Sequence, residues 1–161
     1  MNKLRIEDEA YRLCVGIMLF NSHGNVFTGK RLDYKTSAWQ MPQGGIELGE
    51  NIKDAALREL SEETGITYEN VEFVEEMDEW LYYEIPKKMI SHFWNGKYKG
   101  QKQKWLLFRF IGKDSDINIE TEEPEFCSWK WTDVDSVVSS IVPFKREIYK
   151  KVVKRFRDRL V

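Results

Sequence analysis

Gly44-Gly45-Ile46-Glu47-Leu48-Gly49-Glu50-Asn51-Ile52-Lys53-Asp54-Ala55-Ala56-Leu57-Arg58-Glu59-Leu60-Ser61-Glu62-Glu63-Thr64-Gly65-Ile66 brings a glycine pair, a helix and three crowded acids together within 23 residues. Residues 51–63 have helical character, and Gly65 stands where a left-handed C-terminal cap belongs. At about 100° per residue, Glu59, Glu62 and Glu63 fall within roughly 100° of one another. They are related as i, i+3 and i+4 and share one face. The same wheel places Ile52 and Ala55 inside that arc and Ala56 beside it, with Asp54, Arg58 and Ser61 opposite. The three carboxylates therefore crowd the face that carries apolar and small residues.

Like charges at this spacing repel, and half-burial raises both the cost and the carboxyl pKa values. A divalent cation removes the difficulty. Mg²⁺ and Mn²⁺ are hard ions that take oxygen ligands, and they are typically held by a few carboxylates together with phosphate oxygens of a substrate. The alternative is a solvated acidic face, and the helix alone leaves both open. Gly44-Gly45, upstream of the helix, favours a ligand, because a glycine backbone can approach one closely. Glu50 lies within a turn of the helix start, where it can offset the helix dipole or pair with Arg58.

Outward from this stretch, the chain reads as one ordinary globular domain of 161 residues, 42% apolar and 32% charged. With 25 Lys and Arg against 27 Asp and Glu, the net charge of -2 excludes a polycation that binds nucleic acid by bulk charge. Apolar runs such as residues 15–20 fall far short of the ~20 needed to span a bilayer. The first nine residues carry no apolar core of a secretory signal. Cys14 and Cys127 are too few and too scattered for a disulfide framework or a zinc site, so two reduced thiols in a cytoplasmic protein are expected.

Residues 13–20 and 26–31 read as a hairpin around the turn cluster at 21–25. Residues 39–41 are a short extended piece, and 42–45 a loop. Residues 71–77 and 80–85 read as a second strand pair, 86–100 as a long basic-aromatic loop, and 104–111 and 126–131 as further strands. Thr132 or Asp133 is placed to cap a short helix, and Pro143 to open the last one. Strands and helices interleave without regular alternation, which gives a mixed-sheet α/β or α+β class.

Gly44, Glu50, Arg58-Glu59-Leu60, Glu62-Glu63 and Gly65-Ile66 resemble the complete box of the Nudix hydrolases, nine positions over residues 44–66. Outside the box the resemblance extends from about Tyr11 to Phe156. It takes in Tyr11-Arg12, Trp39-Gln40-Met41-Pro42-Gln43-Gly44-Gly45-Ile46, Gly100-Gln101-Lys102-Gln103-Lys104-Trp105, Pro124-Glu125-Phe126, Trp129-Lys130-Trp131 and Phe144-Lys145-Arg146. These match the branch of bacterial RNA pyrophosphohydrolases and diadenosine polyphosphate hydrolases. The sequence departs from it at Leu13-Cys14, where members often carry proline and asparagine, and at residues 32–38, slightly longer than usual.

The resemblance implies a single domain over residues 1–161 with the Nudix fold, an α/β/α sandwich with a mixed sheet. It implies an enzyme that cleaves phosphoanhydride bonds with Mg²⁺ or Mn²⁺. Removal of diphosphate from 5′-triphosphate RNA ends, the step that initiates mRNA decay, is the expected reaction. Hydrolysis of diadenosine tetra- or pentaphosphate is the alternative, and a non-catalytic nucleotide- or RNA-binding module a third. By position, Glu59, Glu62, Glu63 and Glu125 are implied as metal-binding and catalytic, with Gly45 among the metal-binding residues and Arg58 among the catalytic ones. Arg12, Arg31 and Gln101 are implied to contact phosphates or the 5′ end, Phe144 to stack a base and Lys145 to anchor charge. The expected partner is 5′-triphosphorylated RNA or a dinucleoside polyphosphate, with no DNA and no membrane, and the chain is expected to act as a monomer.

Phe144, Ile148, Val152, Phe156 and Leu160 form an i+4 packing stripe. Residues 144–160 hold eight Lys or Arg and two Asp or Glu, a net +6 that reads mainly as a solvated basic face balancing an acidic body. Trp129 and Trp131 share a strand face and read as core, whereas His23 and His92 read as surface residues.

Overall fold

A computed structural model describes residues 10–32, 38–92 and 96–160. The reading of the first nine residues, most of the 32–38 segment, and Phe93 and Trp94 of the basic-aromatic stretch lie outside the described residues. Two strands, β1 (Tyr11–Phe20) and β7 (Gly100–Phe110), run parallel through the middle of the molecule in a continuous register from Tyr11↔Gly100 to Phe20↔Arg109. Both are buried on two faces, as strands between helical layers are. Side chains alternate across a strand, so Val15, Ile17, Leu19, Leu106, Phe108 and Phe110 enter one core, and Met18, Phe20, Trp105 and Leu107 enter the other.

The remaining strands are β2 (Val26–Arg31), β3 (Trp39–Gln40), β4 (Gln43–Gly45), β5 (Val71–Glu76), β6 (Leu81–Glu84) and β8 (Phe126–Thr132). The eight strands form one mixed sheet in the order β3-β2-β1-β7-β5, with β4 on β1, β6 on β7 and β8 on β2. Helix α1 (Ile52–Thr64) contributes Ala55, Ala56 and Leu60 to the first core. Helices α2 (Val134–Ser140) and α3 (Arg146–Phe156) contribute Val137, Ile148, Tyr149, Val152 and Phe156 to the second. The result is the expected sandwich of helices around a mixed sheet. Among the described residues, no helix is long and apolar enough to cross a membrane.

Local chemistry sets the ends of α1. The Asn51 side chain accepts a hydrogen bond from the Asp54 amide at 2.8 Å, satisfying a donor that the helix itself leaves unpaired. At the other end Gly65 takes φ 73° and donates its N–H to the Ser61 carbonyl, a left-handed cap that a side chain would strain. Asp133 caps α2 through Asp135.

Several boundaries differ from the sequence reading. The strands at 71–77 and 80–85 do not pair with each other, because both pair with β7: β5 along its C-terminal half and β6 along its N-terminal half. β7 begins at Gly100, earlier than the apolar run suggests, because Gln101, Lys102, Gln103 and Lys104 are polar yet buried. The 42–45 loop contains strand β4, paired to β1 with Cys14↔Gly45 in register. Pro143 opens a separate 3₁₀ turn over Pro143–Lys145, and α3 follows at Arg146. The basic-aromatic loop holds a further 3₁₀ segment at Lys87–His92.

Both cysteines are free, but in different surroundings. Cys14 is fully buried, and burial pushes its thiol up to about 12. Cys127 is exposed. Because the thiolate is the reactive form, the native protein at pH 8 is expected to release one equivalent of chromophore from a thiol-disulfide reagent, and two after denaturation. Two equivalents from the folded protein would contradict the burial of Cys14.

Candidate active site

A cleft of about 900 Å³ opens where the end of β4, helix α1 and the 121–125 segment meet the first residues of β1 and β7. Every residue singled out from the sequence as a site residue lines it except Arg58. Arg12 comes from β1, Arg31 from β2, Gly45 from β4, and Glu59, Glu62 and Glu63 from α1. Gln101 comes from β7, Glu125 from the segment before β8, and Phe144 and Lys145 from the 3₁₀ turn before α3.

The acids differ in surroundings. Glu63 is 6% exposed, and its Oε2 accepts a hydrogen bond from the Gln43 amide at 3.3 Å. Burial, and then the charges of Glu59 and Glu125, push its carboxyl well above the usual carboxylate range. Burial also raises Glu59, although Arg58 opposes the shift. Glu62 is largely exposed on the rim of the cleft. Glu125 lies 3.5 Å from Arg31. A Cβ at Gly44 would collide with the Glu59 carboxylate, so glycine there is what admits that side chain against the β4 backbone.

Arg58 corrects the wheel reading, which put it opposite the acids. Its Nε and Nη2 fork onto Glu50 at 2.8 and 3.0 Å, and Nη2 also donates to the Gly45 carbonyl at 2.8 Å. Nη1 donates to Glu59 at 2.9 Å and to Glu62 at 3.2 Å. At 100° per residue Arg58 stands only about 40° from Glu62, so it borders the acidic arc instead of opposing it, and its long side chain bends onto the acids. The fork on Glu50 holds that carboxyl below its usual range. Arg58 thus stands behind the cleft as a brace between α1 and β4. With Glu59 and Glu62 turned onto it, no three His, Cys, Asp or Glu side chains among the described residues are gathered tightly enough to enclose an ion as they stand.

The residues available for a cation nevertheless suit a hard divalent ion. They are carboxylate oxygens, one of them buried and raised by its acidic neighbours, beside a backbone carbonyl at Gly45 that retains a second lone pair.

The lining also has an aromatic and basic part. Lys145 is 3% exposed, with its Nζ 5.6 Å from the centre of the Tyr83 ring, and Phe144 lies 5.7 Å from the same ring. Phe144, in the turn before α3, is partly buried against the same core as the rest of its stripe and also lines the cleft. Ile148, Val152, Phe156 and Leu160 are buried as expected. Arg12 packs over Gly45, where a Cβ would collide with its guanidinium.

Sequence reasoning missed Tyr83, Gln43 and the rim acids Glu122 and Glu123, all of which line the cleft. The alternation of Leu81, Tyr83 and Ile85 with exposed Tyr82 and Glu84 was the available signal for Tyr83. Trp129 and Trp131 lie outside the cleft and pack on Phe27, at 5.6 and 6.0 Å between ring centres. None of residues 87–90 and 96–99 lines the cleft.

Comparison with known proteins places this geometry. A family model of the NUDIX domain matches residues 10–152. The chain is 53% identical to an RNA pyrophosphohydrolase of Dinoroseobacter shibae, over 92% of each chain. It is 54% identical to one of Wolbachia pipientis subsp. Culex pipiens, over 93% of this chain and 91% of the other. Among solved structures it superposes on the E. coli dihydroneopterin triphosphate pyrophosphohydrolase with a TM-score of 0.71 at 19% identity, over 91% of this chain and 99% of that one. It superposes on the C. elegans Ap4A hydrolase binary complex with a TM-score of 0.66 at 20% identity, over 91% and 98%. At those identities the structural likeness speaks for the fold, while the family match and the half-identical relatives settle the lineage: this chain belongs to the Nudix family.

Proposed function

We propose that this protein is a divalent-metal-dependent RNA 5′-pyrophosphohydrolase. The observation that carries the reading is a single cleft lined both by the box acids Glu59, Glu62 and Glu63 and by Phe144, Tyr83 and Lys145. The half-identical relatives named RNA pyrophosphohydrolase support it. In the reaction, water adds across the α–β phosphoanhydride bond, leaving a 5′-monophosphate on the RNA and releasing diphosphate.

Glu59, Glu62, Glu63 and Glu125, with the Gly45 carbonyl, would hold Mg²⁺ or Mn²⁺. The ion when bound supplies neutralisation of phosphate charge and a more acidic water. Arg12, Arg31 and Lys145 face the negative phosphate chain. One of the coupled carboxylates takes the proton of the attacking water. The faces of Phe144 and Tyr83 take the first base by stacking. Arg58 holds the acidic helix against β4 and so keeps the acids in register with the Gly44-Gly45 backbone.

Turnover of 5′-triphosphorylated RNA and of diadenosine tetraphosphate, side by side at one magnesium concentration, tests the assignment. RNA is expected to be the better substrate. Its affinity is expected to fall with salt, with a log–log slope of about -0.7 per phosphate contacted. Phe144→Ala is expected to impair RNA turnover more than that of the small molecule. Preferred turnover of diadenosine tetraphosphate, with RNA turnover indifferent to salt, would give the cleft to dinucleoside polyphosphates instead.

A further inference from the structure

Beneath the cleft a buried residue that does not line it, Gln103, joins two glutamines of the lining through side-chain hydrogen bonds. Gln103 is 1% exposed on β7. Trp105 donates its indole N–H to Gln103 Oε1 at 2.9 Å. The Gln103 amino group donates to Gln43 Oε1 and to Gln101 Oε1, each at 2.7 Å. Direction is fixed at the indole, which can only donate. It holds the oxygen of Gln103 and thereby turns the amino group toward the two neighbouring glutamines. Trp105 is itself immobilised, fully buried with its ring edge-on to Tyr149 at 5.6 Å, and a Cβ at Gly16 would collide with it.

Both outer glutamines line the cleft, and each commits its side-chain oxygen to Gln103. With those oxygens held by Gln103, the amino group is the side-chain donor that each glutamine has left to offer the cleft. Gln43 also donates its backbone N–H to Glu63, which ties the same residue to the buried acid. We infer that Gln103 is a positioning residue. Through the Trp105–Gln103 bond it locks Gln43 and Gln101 with their N–H donors facing the cleft, a polarity that suits the anionic oxygens of a phosphate chain. With the amides reversed, two carbonyl oxygens would face those oxygens and repel them. The inference rests on the proposed RNA-end chemistry for its substrate but not for its geometry.

Side-chain amide resonances of Gln43, Gln101 and Gln103, followed by ¹⁵N NMR in the full chain as magnesium pyrophosphate is added, test it without substitution. The NH₂ signals of Gln43 and Gln101 are expected to shift while those of Gln103 hold. A shift at Gln103 with none at the other two overturns the inference. Gln103→Met removes the donor with little change of volume, and Gln103→Glu offers only acceptors and draws both amino groups inward. Each is expected to weaken pyrophosphate binding, and to raise KM for triphosphorylated RNA, about tenfold, with more of the loss in KM than in kcat. Lower thermal stability and a smaller active fraction, with KM and pyrophosphate affinity retained, would mean a packing role only and would overturn the inference. Wild-type protein that shows the expected amide shifts but no turnover of RNA ends would uphold the positioning and refute the RNA reading.

Discussion

Glu63→Gln is expected to lower metal-dependent turnover by about 10²–10⁴-fold, the range contributed by a positioned proton acceptor, while the fold is kept. The substitution preserves size, and the Gln43 amide still finds an oxygen at the site. It removes a charge that is 6% exposed and faces Glu59 and Glu125. The same change should alter stability in the opposite direction from activity. The folded-state pKa of Glu63 lies well above its ordinary value of 4.5, so the folded state binds this proton more tightly than the unfolded chain. The stability linked to it is full below about pH 4.5 and is lost as the pH rises through the raised folded value. Without metal, the wild type should therefore melt progressively below Glu63→Gln as the pH climbs from 5 to 8. Added Mg²⁺ or Mn²⁺ should raise the melting temperature of the wild type alone, since binding to the folded state stabilises it. Thermal melts of both proteins across that pH range, with and without metal, check the sign. Parallel curves would show that Glu63 carries no buried charge, and near-normal turnover by the variant would remove it from the reaction.

Arg58→Ala carries the second large effect. It leaves Glu50, Glu59, Glu62 and the Gly45 carbonyl without the guanidinium that joins them. Breaking a fully buried ion pair costs about 3–5 kcal/mol, and Arg58 keeps some access to water, so about 2–3 kcal/mol is expected. For a chain of this size that corresponds to a fall of roughly 5–10 °C in Tm. Turnover should fall by about 10²-fold, because the acids would lose their register against β4. Arg58→Lys is expected to recover part of the stability and little of the rate, since an ammonium cannot reproduce the two-pronged contact with Glu50. Full recovery of turnover with lysine would reduce Arg58 to a point charge.

The two predictions rest on parts of the molecule that differed in how well the sequence disclosed them. Helix α1 is legible because Gly65 marks its C-terminal end and its acids recur at helical spacing, whereas Asn51, which the pattern includes in the helix, is its N-cap. β1 was readable as an apolar run. The start of β7 was hidden because Gln101, Lys102, Gln103 and Lys104 look like loop residues, and they are buried only through neighbours that come from distant segments. Pairing of β5 and β6 with β7 was hidden for the same reason, since adjacency in sequence suggests a hairpin and only the length of β7 permits both to join it. At the site, identities were legible and directions were not. Arg58 belongs at the border of the acidic face, about 40° from Glu62 on the wheel, and which of its neighbours the guanidinium grips depends on β4, which sequence spacing does not show. Tyr83 was missed because alternation shows which face a residue occupies but not which end of the sheet meets the cleft.

The account depends most directly on a divalent ion among the box acids. Crystals of the wild-type protein grown with manganese and pyrophosphate, measured for anomalous scattering, test this. A manganese peak at about 2.0–2.3 Å from oxygens of Glu59 and Glu63, with the Glu59 carboxylate moved off Arg58 and a phosphate oxygen sharing the ion, is the predicted result. Glutamates still paired to Arg58, with pyrophosphate bound and no manganese among them, would contradict it.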